Sequence, residues 1–146
     1  MTSDTNTRCL GLDVGERRIG LAISDTSGRL ATPYTAINRR GQEKDIAAIL
    51  RVVSAEEIGT IVVGMPFSLN GSMGPQATWT LAFCEVLQAA TPLPVETWDE
   101  RYSSVEAARL LREAGAKPSR DKARLDASAA AVILQGYLDA QRQATP

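Results

Sequence analysis

Two short apolar runs near the start of the chain most constrain its fold. They are RCLGLDV at residues 8–14 and IGLAIS at residues 19–24, and the polar segment Gly15-Glu16-Arg17-Arg18 separates them. Runs of this length joined by so short a segment are typical of two antiparallel strands and a tight turn. The chain is therefore predicted to begin its fold with a hairpin, followed by a turn at 25–28 and a weaker strand near 29–37.

The rest of the chain alternates between helical and strand patterns. Apolar residues at helical spacing predict a helix from Gln42 to about Ala55, and residues 58–63 form an apolar run typical of a buried central strand. Capping signals, glycines and prolines mark the remaining elements. They predict helices at about 76–90, 103–114 and 122–141, a strand at 95–99, and a polar connection at 116–121.

This order predicts an α/β domain in three layers, in which a mixed five-stranded sheet combines the antiparallel hairpin with parallel crossovers and carries helices on both faces. Ribonuclease H-like folds have this order of elements. A flavodoxin-like sheet, the structural alternative, would usually alternate strand and helix from the start. With 146 residues and 44% hydrophobic content, residues 1–146 are expected to form a single domain.

The chain contains no histidine. Ser-His-Asp and Cys-His catalysis, the HExxH zinc helix and Cys2His2 fingers are excluded, because all of them use imidazole. Cys9 and Cys84 lie in apolar stretches, which indicates reduced thiols and a cytoplasmic protein. Residues 1–7 lack the apolar core of a signal peptide, and no apolar run is long enough for a membrane span. Acid–base or metal chemistry therefore falls to carboxylates, Lys, Tyr or Cys.

Asp13 is the first candidate site residue. It ends an apolar strand between Gly11 and Gly15, where an ionised carboxylate is costly unless it is paired or bound to a cation. The flanking glycines would also let a ligand approach the backbone. The alternative is an aspartate that only starts the turn.

Asp126 is the second candidate. It begins a helix face that continues through Ala129, Ala130, Ile133 and Tyr137, so its carboxylate is predicted to point towards the core. A purely structural alternative is that an acid near a helix N-terminus stabilises the helix dipole.

Asp99 and Glu100 supply the third candidate, because they follow the strand at 95–99 where a parallel strand delivers ligand-binding residues. Adjacent residues point to opposite faces, so only one of them can join Asp13. Glu100 is favoured, Asp99 is the alternative, and a solvated charged turn is the structural explanation.

Three such carboxylates would repel one another at neutral pH unless a divalent cation neutralised them. Ligation by oxygen alone selects Mg²⁺ or Mn²⁺ over Zn²⁺. Two ions about 3.5–4 Å apart can activate water and hold a scissile phosphate without histidine. Lys122 shares a helix face with Asp126 and could orient that acid or neutralise the phosphate.

A phosphodiester substrate also needs cations nearby. The segment Arg101 to Arg124 carries seven basic residues against three acids, although the net charge of the chain is -1. Non-specific contact with a phosphate backbone is the expected use, and a solvated charged face is the alternative. The candidate nucleic-acid-binding residues, which include two in the first turn and two in the loop at 64–75, are Arg17, Arg18, Ser68, Asn70, Arg101, Arg120 and Arg124.

Four segments together resemble the YqgF/RuvX family. They are GLDVGERRIGLAISD at 11–25, IVVGMPFSLNGSMGP at 61–75, WDERYSSVEA at 98–107 and KARLDASAAAVILQGYL at 122–138. Proteins of this family are described as Holliday junction resolvase-like and as nucleases for the 5′ end of pre-16S rRNA. The resemblance implies a ribonuclease H-like fold, a carboxylate–metal site at Asp13, Glu100 (or Asp99) and Asp126, and an RNA or DNA substrate. Phe67 and Tyr102 stand where relatives often carry leucine.

Two other functions compete with a nuclease. An ATP-binding protein of the actin and sugar-kinase type also begins with a glycine-flanked aspartate on a hairpin, but such proteins clamp nucleotide between two domains of this kind. A non-catalytic nucleic-acid-binding module would keep the fold and lack the metal. Both a monomer and a homodimer are compatible with the sequence.

Overall fold

A computed structural model describes residues 7–66, 73–99 and 118–144 of the chain, in which five strands form one mixed sheet. The strands are β1 (Arg8–Val14), β2 (Arg18–Ser24), β3 (Ala31–Asn38), β4 (Ile58–Met65) and β5 (Val95–Asp99), and the helices are α1 (Gln42–Ala55), α2 (Pro75–Ala90) and α3 (Pro118–Ala144). The spatial order of the strands is β3-β2-β1-β4-β5. Strands β1, β2 and β3 pair antiparallel, whereas β4 pairs parallel with both β1 and β5. The predicted hairpin, crossovers and five-stranded sheet are confirmed.

Most of the predicted boundaries agree with the structure within a few residues, and α3 differs most. It begins at Pro118, inside the stretch predicted to be a polar connection. Proline is well suited to the first turn of a helix, because its missing N–H would have no partner there. The helix predicted at 103–114 lies outside the described residues. Within the described ranges, no helix has both the length and the apolar composition that crossing a bilayer requires.

The sheet separates two apolar cores because side chains alternate between its faces. On one face, Leu10, Leu12 and Val14 of β1 pack with residues of α1 and α2, including Ile49 and Phe83. On the opposite face, Ala22 and Val62 pack against α3 through Ala130, Leu134, Tyr137 and Leu138. The alternation therefore assigns Gly11 and Asp13 of β1 to the face that α3 covers.

Two strand glycines let α3 lie directly on the hairpin. A methyl group on Gly11 would lie 2.8 Å from the Leu134 Cβ atom, and one on Gly20 would overlap the carbonyl oxygen of Asp126. The interpretation of Gly11 as an opening for a ligand is therefore wrong, because the helix occupies that space. Gly15 serves the turn, where an added methyl would lie 2.9 Å from the Arg18 carbonyl oxygen.

Polar contacts fasten the other end of the hairpin to the same helix. The Gln135 side chain accepts a hydrogen bond from the Ala31 N–H at 2.9 Å and donates one to the Arg29 carbonyl at 2.8 Å. Arg142 donates to the same carbonyl at 3.1 Å and forms an ion pair with Asp139. Helix α3 is thus attached to the β2–β3 turn as well as to the β1–β2 end of the sheet.

Replacing Gly20 with alanine should destabilise the protein by about 1–3 kcal/mol, because the added methyl must push the α3 backbone away from β2. Urea titration followed by circular dichroism measures this change in the free energy of unfolding. An unchanged value would contradict the close contact between Gly20 and α3.

Candidate active site

Asp13 and Asp126 come together where β1 and β2 pass beneath α3. Asp13 is paired with Gly20 across the hairpin. The backbone of Asp126 crosses directly over Gly20, as the overlap with an added methyl shows. Two acids more than a hundred positions apart in sequence therefore lie beside each other at the end of β1.

The proximity of the two carboxylates affects the charge of Asp13. Burial, the larger cause, and the negative charge of Asp126 together raise the pKa of Asp13 to about 6. Burial disfavours an ionised carboxylate, and a like charge nearby does the same. Near neutral pH, the protein therefore holds Asp13 ionised at a cost that a bound cation would relieve.

Arg18 partly neutralises this acidic pair. Its Nε–H donates to Oδ2 of Asp126 at 2.5 Å, with 25% of the Arg18 side chain and 29% of the Asp126 side chain exposed. Arg18 lies two residues before Gly20 on β2 and so shares the face that carries Asp13. The ion pair orients Asp126 and leaves Asp13 without a direct hydrogen-bond donor among the described residues.

A second arginine braces the turn that follows Asp13. Arg39 donates from Nη1 to the Gly15 carbonyl at 3.1 Å and from Nε to Oδ2 of Asp45 at 3.0 Å. Its guanidinium lies 5.3 Å from the centre of the Phe83 ring. Asp45 is only 2% exposed, so this is a largely buried ion pair. Hydrophobic periodicity does not predict this brace, although an acid next to Ile46 on α1 is a signal for it.

The position of Asp99 bears on the choice of the third acid. Strand β5 pairs in register with β4, so that Trp98 matches Gly64 and Asp99 matches Met65. Trp98 belongs to the α3 side, where its ring meets that of Tyr137 edge-on with centroids 6.4 Å apart. Alternation then assigns Asp99 to the face of α1 and α2, opposite the face that carries Asp13. Glu100 itself lies outside the described residues.

The other predicted site residues fall into three groups. Arg17 is exposed in the β1–β2 turn, and Arg124 is exposed on α3 two residues before Asp126. Arg120 and Lys122 belong to the N-terminal part of α3. Ser68, Asn70 and Arg101 lie outside the described residues. Within the described part of the chain, no three acidic or cysteine side chains cluster as a metal site would require.

The raised pKa of Asp13 predicts how the stability of the metal-free protein depends on pH. Because folding raises the pKa of Asp13 from 3.8 to about 6, the folded state favours the protonated acid, and stability is lost as pH rises through 6. In chelator, Asp13→Asn should remove this loss and melt at a higher temperature than the wild type at about pH 7.5.

Thermal melts at about pH 5 and about pH 7.5 test this expectation. The advantage of Asp13→Asn over the wild type should shrink at the lower pH. Asp139→Asn, which changes an exposed acid on α3, should keep the pH dependence of the wild type. Parallel pH profiles for Asp13→Asn and the wild type would contradict the burial of an ionised Asp13.

Comparison with known proteins identifies relatives whose sequences match most of the chain. A model of the family described as "RuvX: Holliday junction resolvase" matches residues 7–140. A protein of Chloroflexus aurantiacus is 49% identical over 133 residues, which cover 91% of this chain and 87% of the relative. One of Clostridioides difficile is 43% identical over 132 residues, covering 90% and 94%. Both carry names that describe them as candidate pre-16S rRNA nucleases.

Solved structures confirm the ribonuclease H-like fold. RuvC of T. thermophilus in complex with a Holliday junction substrate aligns with a TM-score of 0.60 at 18% identity, covering 95% of this chain and 97% of that one. The yeast mitochondrial Holliday junction resolvase Ydc2 also aligns with a TM-score of 0.60, at 10% identity, covering 94% and 80%.

Proposed function

The chain belongs to the RuvX family of Holliday junction resolvase-like nucleases, and from that premise we propose that it hydrolyses phosphodiester bonds at the Asp13–Asp126 site with Mg²⁺ or Mn²⁺. The observation that carries this proposal is the meeting of two carboxylates from opposite ends of the chain, one of them buried with a raised pKa. A purely structural ion pair between Arg18 and Asp126 would not need Asp13 beside it.

The residues present suit a hard divalent cation. Both acids offer only oxygen atoms, which Mg²⁺ and Mn²⁺ prefer, and the chain has no imidazole that would favour zinc. We propose Asp13, Asp126 and Glu100 as the ligands. Glu100 is preferred to Asp99 because the alternation along β5 assigns Asp99 to the face of α1 and α2, away from Asp13.

Bound cations supply a polarised phosphate and a water molecule of lowered pKa. The chain's own residues hold and orient that chemistry. Asp13 is fixed on a central strand whose following turn is braced by Arg39, and Asp126 is fixed by the contact of α3 with Gly20. Arg18 holds the Asp126 carboxylate in one orientation and lies close enough to attract a phosphate oxygen. Lys122, four residues before Asp126, is proposed to neutralise the same phosphate.

We propose that the substrate is the 5′ end of pre-16S rRNA, cut during ribosome biogenesis in the cytoplasm. The names of relatives at 43–49% identity support this choice. The second candidate is a branched DNA junction, which the description of the matching family favours. Arg17, Arg124, Arg120, Arg101, Ser68 and Asn70 are the proposed backbone contacts, and the chain is proposed to act as one domain, alone or as a homodimer.

Asp13→Asn and Asp126→Asn should each reduce metal-dependent cleavage by at least about 100-fold, since loss of even an outer-shell partner of a metal ligand costs about 10–100-fold. Asp139→Asn is the matched control on α3, because it changes an exposed acid away from the site. Cleavage of a labelled 16S precursor and a labelled four-way DNA junction, with Mg²⁺ or Mn²⁺ and then with excess chelator, measures both activity and substrate choice. Full activity in chelator would exclude the metal mechanism.

Glu100→Gln should lose far more activity than Asp99→Asn, because Asp99 lies on the face of the sheet opposite Asp13. Initial cleavage rates at saturating Mn²⁺ compare the two variants, and thermal melts check that both are folded. A larger loss in Asp99→Asn would exchange the roles of the two acids.

A further inference from the structure

A groove on the face of the sheet opposite α3 carries positive charge that the proposed reaction does not use. It lies between α1 and the end of edge strand β3 and has a volume of about 470 Å³. Its lining combines the small or apolar residues Ile37, Ala47 and Ala48 with the cations Arg40, Lys44 and Arg51. We call it the α1 groove.

The residues that α1 contributes to the lining of the α1 groove form a single stripe along the helix. Lys44, Ala47, Ala48 and Arg51 recur at spacings of three, four and seven residues, which places them on one face of α1. Seven residues of helix rise about 10 Å, so the two cations stand about 10 Å apart along the axis. Between the two cations, α1 presents the small side chains of Ala47 and Ala48 to the groove.

The positive charge of the groove is not neutralised by neighbouring side chains. Among the described residues, the side chains of Arg40, Lys44 and Arg51 form no ion pair or hydrogen bond. The acid in the lining, Asp45, is already paired with Arg39 and accepts the Arg40 backbone N–H at 2.8 Å. The α1 groove is therefore a local cationic surface on a chain whose net charge is -1, and it suits a polyanion.

The groove begins at the edge of the sheet where the candidate active site lies. Asn38, which ends β3, is paired with Arg18 of the acidic site. The next residue, Arg39, donates its backbone N–H to the Arg17 carbonyl at 2.8 Å. The exposed Arg17 is thus joined through the backbone to the residue that precedes Arg40 of the groove.

We propose that the α1 groove binds the sugar–phosphate backbone of the nucleic-acid substrate beside the scissile bond, through Arg40, Lys44 and Arg51. This inference rests on the proposed nuclease function, since it takes the polyanion to be the molecule that is cut. Exposed cations without carboxylate partners bind phosphates without reading base sequence, so the groove adds affinity and register but no sequence preference.

Fluorescence anisotropy measured in excess chelator tests the groove, because the chelator prevents metal-dependent cleavage while the nucleic acid is bound. The probes are a labelled RNA with the 5′ end of the 16S precursor and a labelled four-way DNA junction. Lys44→Gln and Arg51→Gln should each weaken binding about eightfold at about 0.1 M salt and lower the slope of log K against log salt by about 0.9 on duplex probes. Arg29→Gln is the matched control, because it removes one exposed charge from the β2–β3 turn at the other end of the sheet.

The outcomes separate the groove from the nuclease function. The groove proposal is overturned if Lys44→Gln and Arg51→Gln have the same affinities and salt slopes as the wild type or Arg29→Gln. It is also overturned if the wild type binds neither probe. Cleavage by the wild type is measured on the same probes with Mn²⁺. Groove-dependent binding without cleavage rejects the nuclease and keeps the groove, whereas cleavage with groove-independent binding rejects only the groove. Thermal melts confirm that each glutamine variant is folded.

Discussion

The close contact between α3 and the first hairpin is the constraint on which the rest of the structure depends. Gly11 and Gly20 have no side chain where the helix backbone crosses the strands, so the helix lies almost on the sheet. That contact brings Asp126 beside Asp13. A helix held further away by larger side chains would separate the two carboxylates.

Most of the fold could be predicted from the sequence because local patterns determine it. Strand alternation and helical spacing are properties of short windows, and they located the hairpin, the α1 boundaries and β5 closely. The start of α3 was harder to locate, because Pro118 is equally compatible with a loop and with the first turn of a helix. The role of Gly11 could not be predicted, since a sequence does not reveal whether a ligand or another helix approaches a glycine.

The site was less predictable because its interactions connect distant parts of the chain. Arg18 and Asp126 are 108 positions apart, and no local pattern indicates that they pair. The sequence alone does not reveal which face of the sheet Asp99 occupies. The register of β5 with β4 supplies that information, because Trp98 packs against α3 and its neighbour Asp99 therefore lies on the opposite face.

Among the described helices, α3 is the last to be synthesised, and it covers the β1–β2 hairpin, which is synthesised first. Asp13 and Arg18 leave the ribosome long before Asp126, and the α3 face of β1 and β2 stays uncovered until residues 118–144 emerge. A growing chain therefore carries only half of its acidic pair. The order of synthesis therefore makes the acidic pair a late feature of folding, which forms only after α3 has been synthesised and has packed on the hairpin.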